Sequence, residues 1–196
     1  NTGMSKESPE QQGFVFPGVF EITAMGSAEA ELENVVPREL AKAGLAASDV
    51  KTYAFGRIVL WSATRDATRM TLKSLTDPAI ERIAIANPRH APYGRRAEEA
   101  LRAAGVWDEV QSRLVYGENI AHAAQFVETG NAQVGIIALS LAMNPQLARK
   151  GGYWLIPDVL HQPLAQGFII TRRARNNPLA TRFADYMGSR AARAVM

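Results

Sequence analysis

The chain reads as an α/β protein built on a mostly parallel sheet with flanking helices. Three observations lead there. From Ile58 onward, short apolar runs alternate with helix-patterned stretches, as a succession of strand-helix-strand units requires. Residues 58–61, 83–86 and 134–139 are apolar without alternation, which is the pattern of strands covered on both faces. The helical stretches are punctuated, with Pro37 and Pro92 near their starts and Gly44, Gly105 and Gly130 just past their ends.

Composition bounds the answer. The 196 residues are 47% hydrophobic and 21% charged, which favours a packed core over disorder or a fibre. A formal charge of +3 and a pI near 9.4 are mildly basic, but the arginines are scattered except after Thr171, too diffuse for a nucleic-acid footprint. The chain has no cysteine, which excludes disulfides, thiolate metal sites and a cysteine nucleophile together. No apolar run approaches the roughly 18 residues of a membrane span, so direct membrane insertion is not expected. Residues 1–12 are polar with no signal-peptide core, so an exported protein would already have lost its leader.

In chain order, residues 14–25 are apolar and β-prone but broken by Pro17 and Gly18, the pattern of an edge strand or a packed arm. Residues 27–43 turn helical, divided at Pro37. A strand is expected over 52–62 and a short helix or turn over 72–80. A strand over 82–86 leads to a helix over 92–104. Trp107 starts a further turn, and residues 113–116 make a short strand before a helix over 120–128. Strand 134–139, a helix over 141–149 that tolerates Pro145, strands 153–156 and 166–171, and a helix over 178–195 complete the pattern.

The most informative stretch is Asn87-Pro88-Arg89-His90-Ala91-Pro92-Tyr93-Gly94, at the end of an apolar strand and the start of an Ala/Leu/Glu/Arg-rich helix. Proline suits the first helical position, and the first-turn N–H groups of a helix have no acceptor within it. With the partial positive charge of the helix dipole, such a terminus binds oxyanions without a lysine. An ordinary strand-turn-helix connection is the competing reading of this stretch. Tyr116-Gly117-Glu118-Asn119-Ile120 repeats the arrangement, with Asn119 as the expected cap. Ligands of open α/β sheets sit outside the carboxyl ends of the strands, so two such loops can grip one anion. A site built only of donors suits an anion that carries no proton.

Other constellations are weaker. His90, His122 and His161 lack neighbours at metal-ligand spacing, so no cation site is expected. No nucleophile elbow or phosphate loop is present, and no set of acid, base and nucleophile can be assembled, which argues against an enzyme.

These stretches, with Lys42-Ala43-Gly44-Leu45, Tyr53 to Trp61, Gly135 to Ser140 and His161-Gln162-Pro163-Leu164-Ala165-Gln166, resemble the periplasmic molybdate-binding proteins of ABC importers, in order and spacing from Pro37 to the C-terminus. The resemblance implies a type II periplasmic binding fold whose two lobes close on molybdate or tungstate, with no cofactor, and the membrane subunits of an ABC permease as partner. Carried over by position, Tyr93 and Ile120 donate backbone amides to the oxyanion. Ala138 stands where some members place a ligand tyrosine, so that donor is missing. Residues 1–36 would be a divergent arm and remnant of lobe 1, and 37–56 a lobe 1 segment with the first crossing. Residues 57–165 would be a complete lobe 2, and 166–196 the return crossing and C-terminal helix of lobe 1. Gly56 and Gly167 are hinge candidates. The stretch before Pro37 is too short for the family's opening motifs, so lobe 1 is expected to be truncated. Ser27 is the one candidate hydroxyl donor there, and no paired serines follow.

Two expectations compete. In the first, the chain is an oxyanion receptor whose missing wall comes from a second copy or a partner chain. In the second, it is a scaffold that has lost tight binding and serves as an accessory or interaction subunit.

Overall fold

The computed structural model describes residues 35–193. The strand or arm expected over 14–25, the start of the helix expected from residue 27, and Ser27 lie outside the described residues.

The described chain runs α1 (Val35–Lys42), β1 (Lys51–Gly56), β2 (Ile58–Ser62), β3 (Ile83–Ala86), α2 (Pro92–Ala103), α3 (Trp107–Val110), β4 (Leu114–Gly117) and α4 (Ile120–Glu128). It continues through β5 (Val134–Ala138), α5 (Leu139–Ala142), α6 (Pro145–Ala148), β6 (Gly152–Leu155), β7 (Leu164–Phe168), α7 (Pro178–Met187) and α8 (Arg190–Arg193). Gly44, Gly105 and Gly130 each adopt a positive φ just past the end of a helix, as their positions in the sequence require.

Five strands form the central sheet in the order β4-β3-β5-β2-β6. β3 pairs in parallel with β4 and β5, whereas β2 runs against β5 and β6. Every residue of β2, β3 and β5 is buried, which accounts for their unbroken apolar character. β1 and β7 form a separate antiparallel ribbon.

Three expected elements are divided. Residues 52–62 form two strands in two sheets: β1 stops at Gly56, and β2 starts at Ile58 opposite Ala138. Between them the Arg57 carbonyl accepts from Leu139 N at 2.9 Å, which ties the junction to the end of β5. Residues 141–149 split because Pro145 occupies the first position of a new helix, α6, capped by the Asn144 side chain. The final helix breaks at Gly188, and Ser189 Oγ accepts from Ala192 N to start α8.

Connections between parallel strands are right-handed, and here they reverse direction: α2 leads from β3 outward to β4, and α4 leads from β4 back across β3 to β5. That rule sends α2 and α4 to opposite faces, so their N-termini flank the crevice at the carboxyl ends of β3 and β4. Because β2 is antiparallel, its start lies at this same edge, which brings the β1–β7 ribbon beside the crevice.

Candidate functional site

The crevice is built by two loops that are fastened to each other. After β3, the Asn87 side chain accepts from Arg89 N at 3.0 Å and its carbonyl from Ala91 N at 2.9 Å, folding the turn that Pro88 begins. Pro92 then occupies the first position of α2, and Pro92, Tyr93 and Gly94 are all buried. After β4, Asn119 is extended and its side chain accepts from His122 N at 2.8 Å, the cap expected from sequence.

Asn87 N donates to the Gly117 carbonyl at 2.8 Å, extending the β3–β4 pairing into the loops. His90 Nε2 donates to the Glu118 carbonyl at 2.9 Å, and Glu118 N donates to His122 Nδ1 at 3.3 Å. A histidine of the first loop and one of α4 therefore hold the backbone of the same residue, Glu118, one ahead of the α4 cap. His122 also packs against Phe126 in a tilted contact, 4.4 Å between ring centroids.

The structure brings Tyr93 and Ile120 to the first turns of α2 and α4, at the carboxyl ends of neighbouring strands. Ala138 closes β5 and is buried. Gly94 stands against the end of β3. A Cβ there would lie 2.2 Å from the Ala86 carbonyl oxygen, so its smallness lets α2 pack on the end of β3.

Gly56 is likewise occupied space. A Cβ on it would come within 2.5 Å of Tyr93 Oη and 3.2 Å of Gln166 Nε2. Sequence reasoning had no signal for the partners of this contact. Gln166 Nε2 donates to Tyr93 Oη at 2.9 Å, and Tyr53 Oη donates to Gln166 Oε1 at 3.0 Å. Burial pushes the Tyr53 phenol above its ordinary pKa.

Ion pairs frame the same edge. Arg57 Nε lies 2.8 Å from Asp158 Oδ1, and Arg96 Nη1 lies 2.7 Å from Glu99 Oε1. Glu99 Oε2 also accepts from Gln162 N at 2.8 Å, tying α2 to the segment that leads into β7.

An open α/β sheet with helix N-termini at a switch point and a two-stranded ribbon beside it has the form of a periplasmic-binding-protein fold. Residues 33–196 match the bacterial extracellular solute-binding protein family, and the chain belongs to it. Within that family it is 36% identical over 156 residues to the molybdate-binding protein ModA of Azotobacter vinelandii, covering 79% of this chain and 62% of the relative. It is 34% identical to ModA of Rhodobacter capsulatus, over 69% of this chain and 52% of that one. The solved A. vinelandii periplasmic molybdate-binding protein superposes with a TM-score of 0.73 at 29% identity, covering 82% of this chain and 71% of its own. The chain thus spans between half and two-thirds of the length of the first two relatives. A 42-residue stretch is also 50% identical to 45% of a UPF0250 protein from Xanthomonas campestris.

Proposed function

We propose that this chain binds a tetrahedral oxyanion, molybdate or tungstate, through backbone amides at the N-termini of α2 and α4 for delivery to an ABC permease. Tyr93 and Ile120 are the proposed donors. The observation that carries the reading is the meeting of two helix N-termini of 12 and 9 residues at one switch point, in a chain whose relatives are named molybdate-binding proteins. Hydrogen bonds to a charged partner contribute about 1.5–3 kcal/mol each, so four to six donors support micromolar binding.

The division at residues 56–57 and 165–166 follows the same reading, with 57–165 as one lobe and the ribbon as its link to the other. Ser27 precedes the residues that match the family and does not carry the proposal. Ala138 has no hydroxyl, so any ligand here has one donor fewer than in relatives with a tyrosine at that position. The place of action is periplasmic, with permease membrane subunits as partner.

Calorimetric titration with molybdate and tungstate, with sulfate and phosphate as controls, tests the proposal. Micromolar or tighter binding of the larger anions is the expected outcome. Ile120→Pro is the diagnostic variant, because the extended Asn119 accommodates a following proline and proline is tolerated at the first helical position. It removes one donor and should weaken binding about 10- to 100-fold. Absence of heat with every anion would leave the accessory-subunit reading in its place.

A further inference from the structure

Three side chains join the crossing ribbon to the site helix, and Gln166 is the middle one. The β1–β7 register slips at Tyr53: Thr52 pairs with Gly167 and Ala54 with Gln166, which makes Tyr53 the extra residue of a bulge. Such a bulge re-aims a side chain. It lets Tyr53, which regular alternation would place on the same face as the exposed Phe55, send its hydroxyl to Gln166.

Ala54 and Gly56 share one face of the ribbon with Gln166, and the missing side chain of Gly56 leaves room for the end of the Tyr93 ring. The Tyr53 hydroxyl holds the carbonyl end of the Gln166 amide, which turns the NH2 end towards Tyr93. Both crossing strands are thereby bonded, through one amide, to the second residue of α2.

We propose that Gln166 is a positioning residue of the oxyanion site. By holding Tyr93 against the ribbon it sets the first turn of α2, and it couples occupancy of that turn to the relative setting of β1 and β7. The ligand part of this inference rests on the oxyanion reading above; the setting of α2 does not.

The test uses Gln166→Leu, which keeps the length and removes both polar ends, and the milder Tyr53→Phe, which removes one link. Hydrogen exchange of the ligand-free proteins is read at residues 94–96, 53–56 and 164–168, with 120–123 as internal reference, and molybdate affinity is read by calorimetry. Gln166→Leu should speed exchange in the first three segments, leave the α4 turn unchanged and weaken molybdate binding about five- to tenfold. Tyr53→Phe should move both readouts the same way by less. In the wild type, molybdate should slow exchange in both ribbon strands, and in Gln166→Leu it should protect the α2 and α4 turns alone.

Unchanged exchange at 94–96 in Gln166→Leu overturns the proposal, as does unchanged affinity in a variant whose α2 turn has loosened. If the wild type binds no oxyanion, the function reading falls first; faster exchange at 94–96 would then identify Gln166 as a support of α2 and end its role in a site.

Discussion

At the scale of single residues, the crevice depends on groups whose main partners are protein atoms. Gly94 is the sharpest case: a Cβ there would meet the Ala86 carbonyl oxygen and carbon at 2.2 and 2.7 Å, both backbone atoms that cannot turn aside. Gly94→Ala should destabilise the fold by about 2–3 kcal/mol, an overpacking cost that urea titration would measure. Asn119→Ala removes the α4 cap and should cost about 1 kcal/mol by the same method. Tyr53 makes a pH prediction. Its protonated form donates to Gln166, and burial raises its folded pKa above the unfolded value of about 10. The stabilisation it contributes is complete below the unfolded pKa and is lost as pH rises through the folded one. Melting temperatures of the wild type should therefore decline more steeply above about pH 10 than those of Tyr53→Phe; parallel decline would remove Tyr53 from the alkaline transition.

At the scale of elements, what was legible in the sequence was local. α2 and α4 were marked by Pro92, Asn119 and the glycines behind them, and β2, β3 and β5 by apolar runs that need cover on both sides. The loops that carry Tyr93 and Ile120 followed, because strand ends and helix starts are set by neighbours in the chain. The pairing of β1 with β7 was not legible as register: Tyr53 and Gln166 are 113 residues apart, and the bulge that lets them meet exists only once the two strands pair. For the same reason nothing local marks that Tyr93 and Gln166 lie where a side chain on Gly56 would stand. Gly56→Ala should displace Tyr93 and Gln166 together, so its thermal destabilisation and that of Gln166→Leu should be less than additive in the double variant, coupled by about 0.5–3 kcal/mol. Full additivity would mean that the two contacts are independent.

At the scale of the whole molecule, the sheet and the ribbon are different kinds of body. The core runs from β2 through β3 and β5 to α2 and α4 and takes in Leu164 from the ribbon, which has two strands and leaves Phe55 exposed. A ligand bound at the crevice stabilises the native state by mass action, by about 2.7 kcal/mol at a hundredfold excess over Kd. Molybdate should therefore raise the melting temperature at concentrations where sulfate and phosphate leave it unchanged. An equal shift with all four anions would point to general salt effects in place of a site.

The bond from Asn87 to Gly117 and the two histidines on the Glu118 backbone have a kinetic meaning. The loops on either side of the crevice are already locked to each other, so their ordering entropy is lost when the chain folds and not when a ligand arrives. Capture of an anion by this face should then run at a rate set by diffusion and charge steering, and stopped-flow traces should stay linear in anion concentration without a plateau.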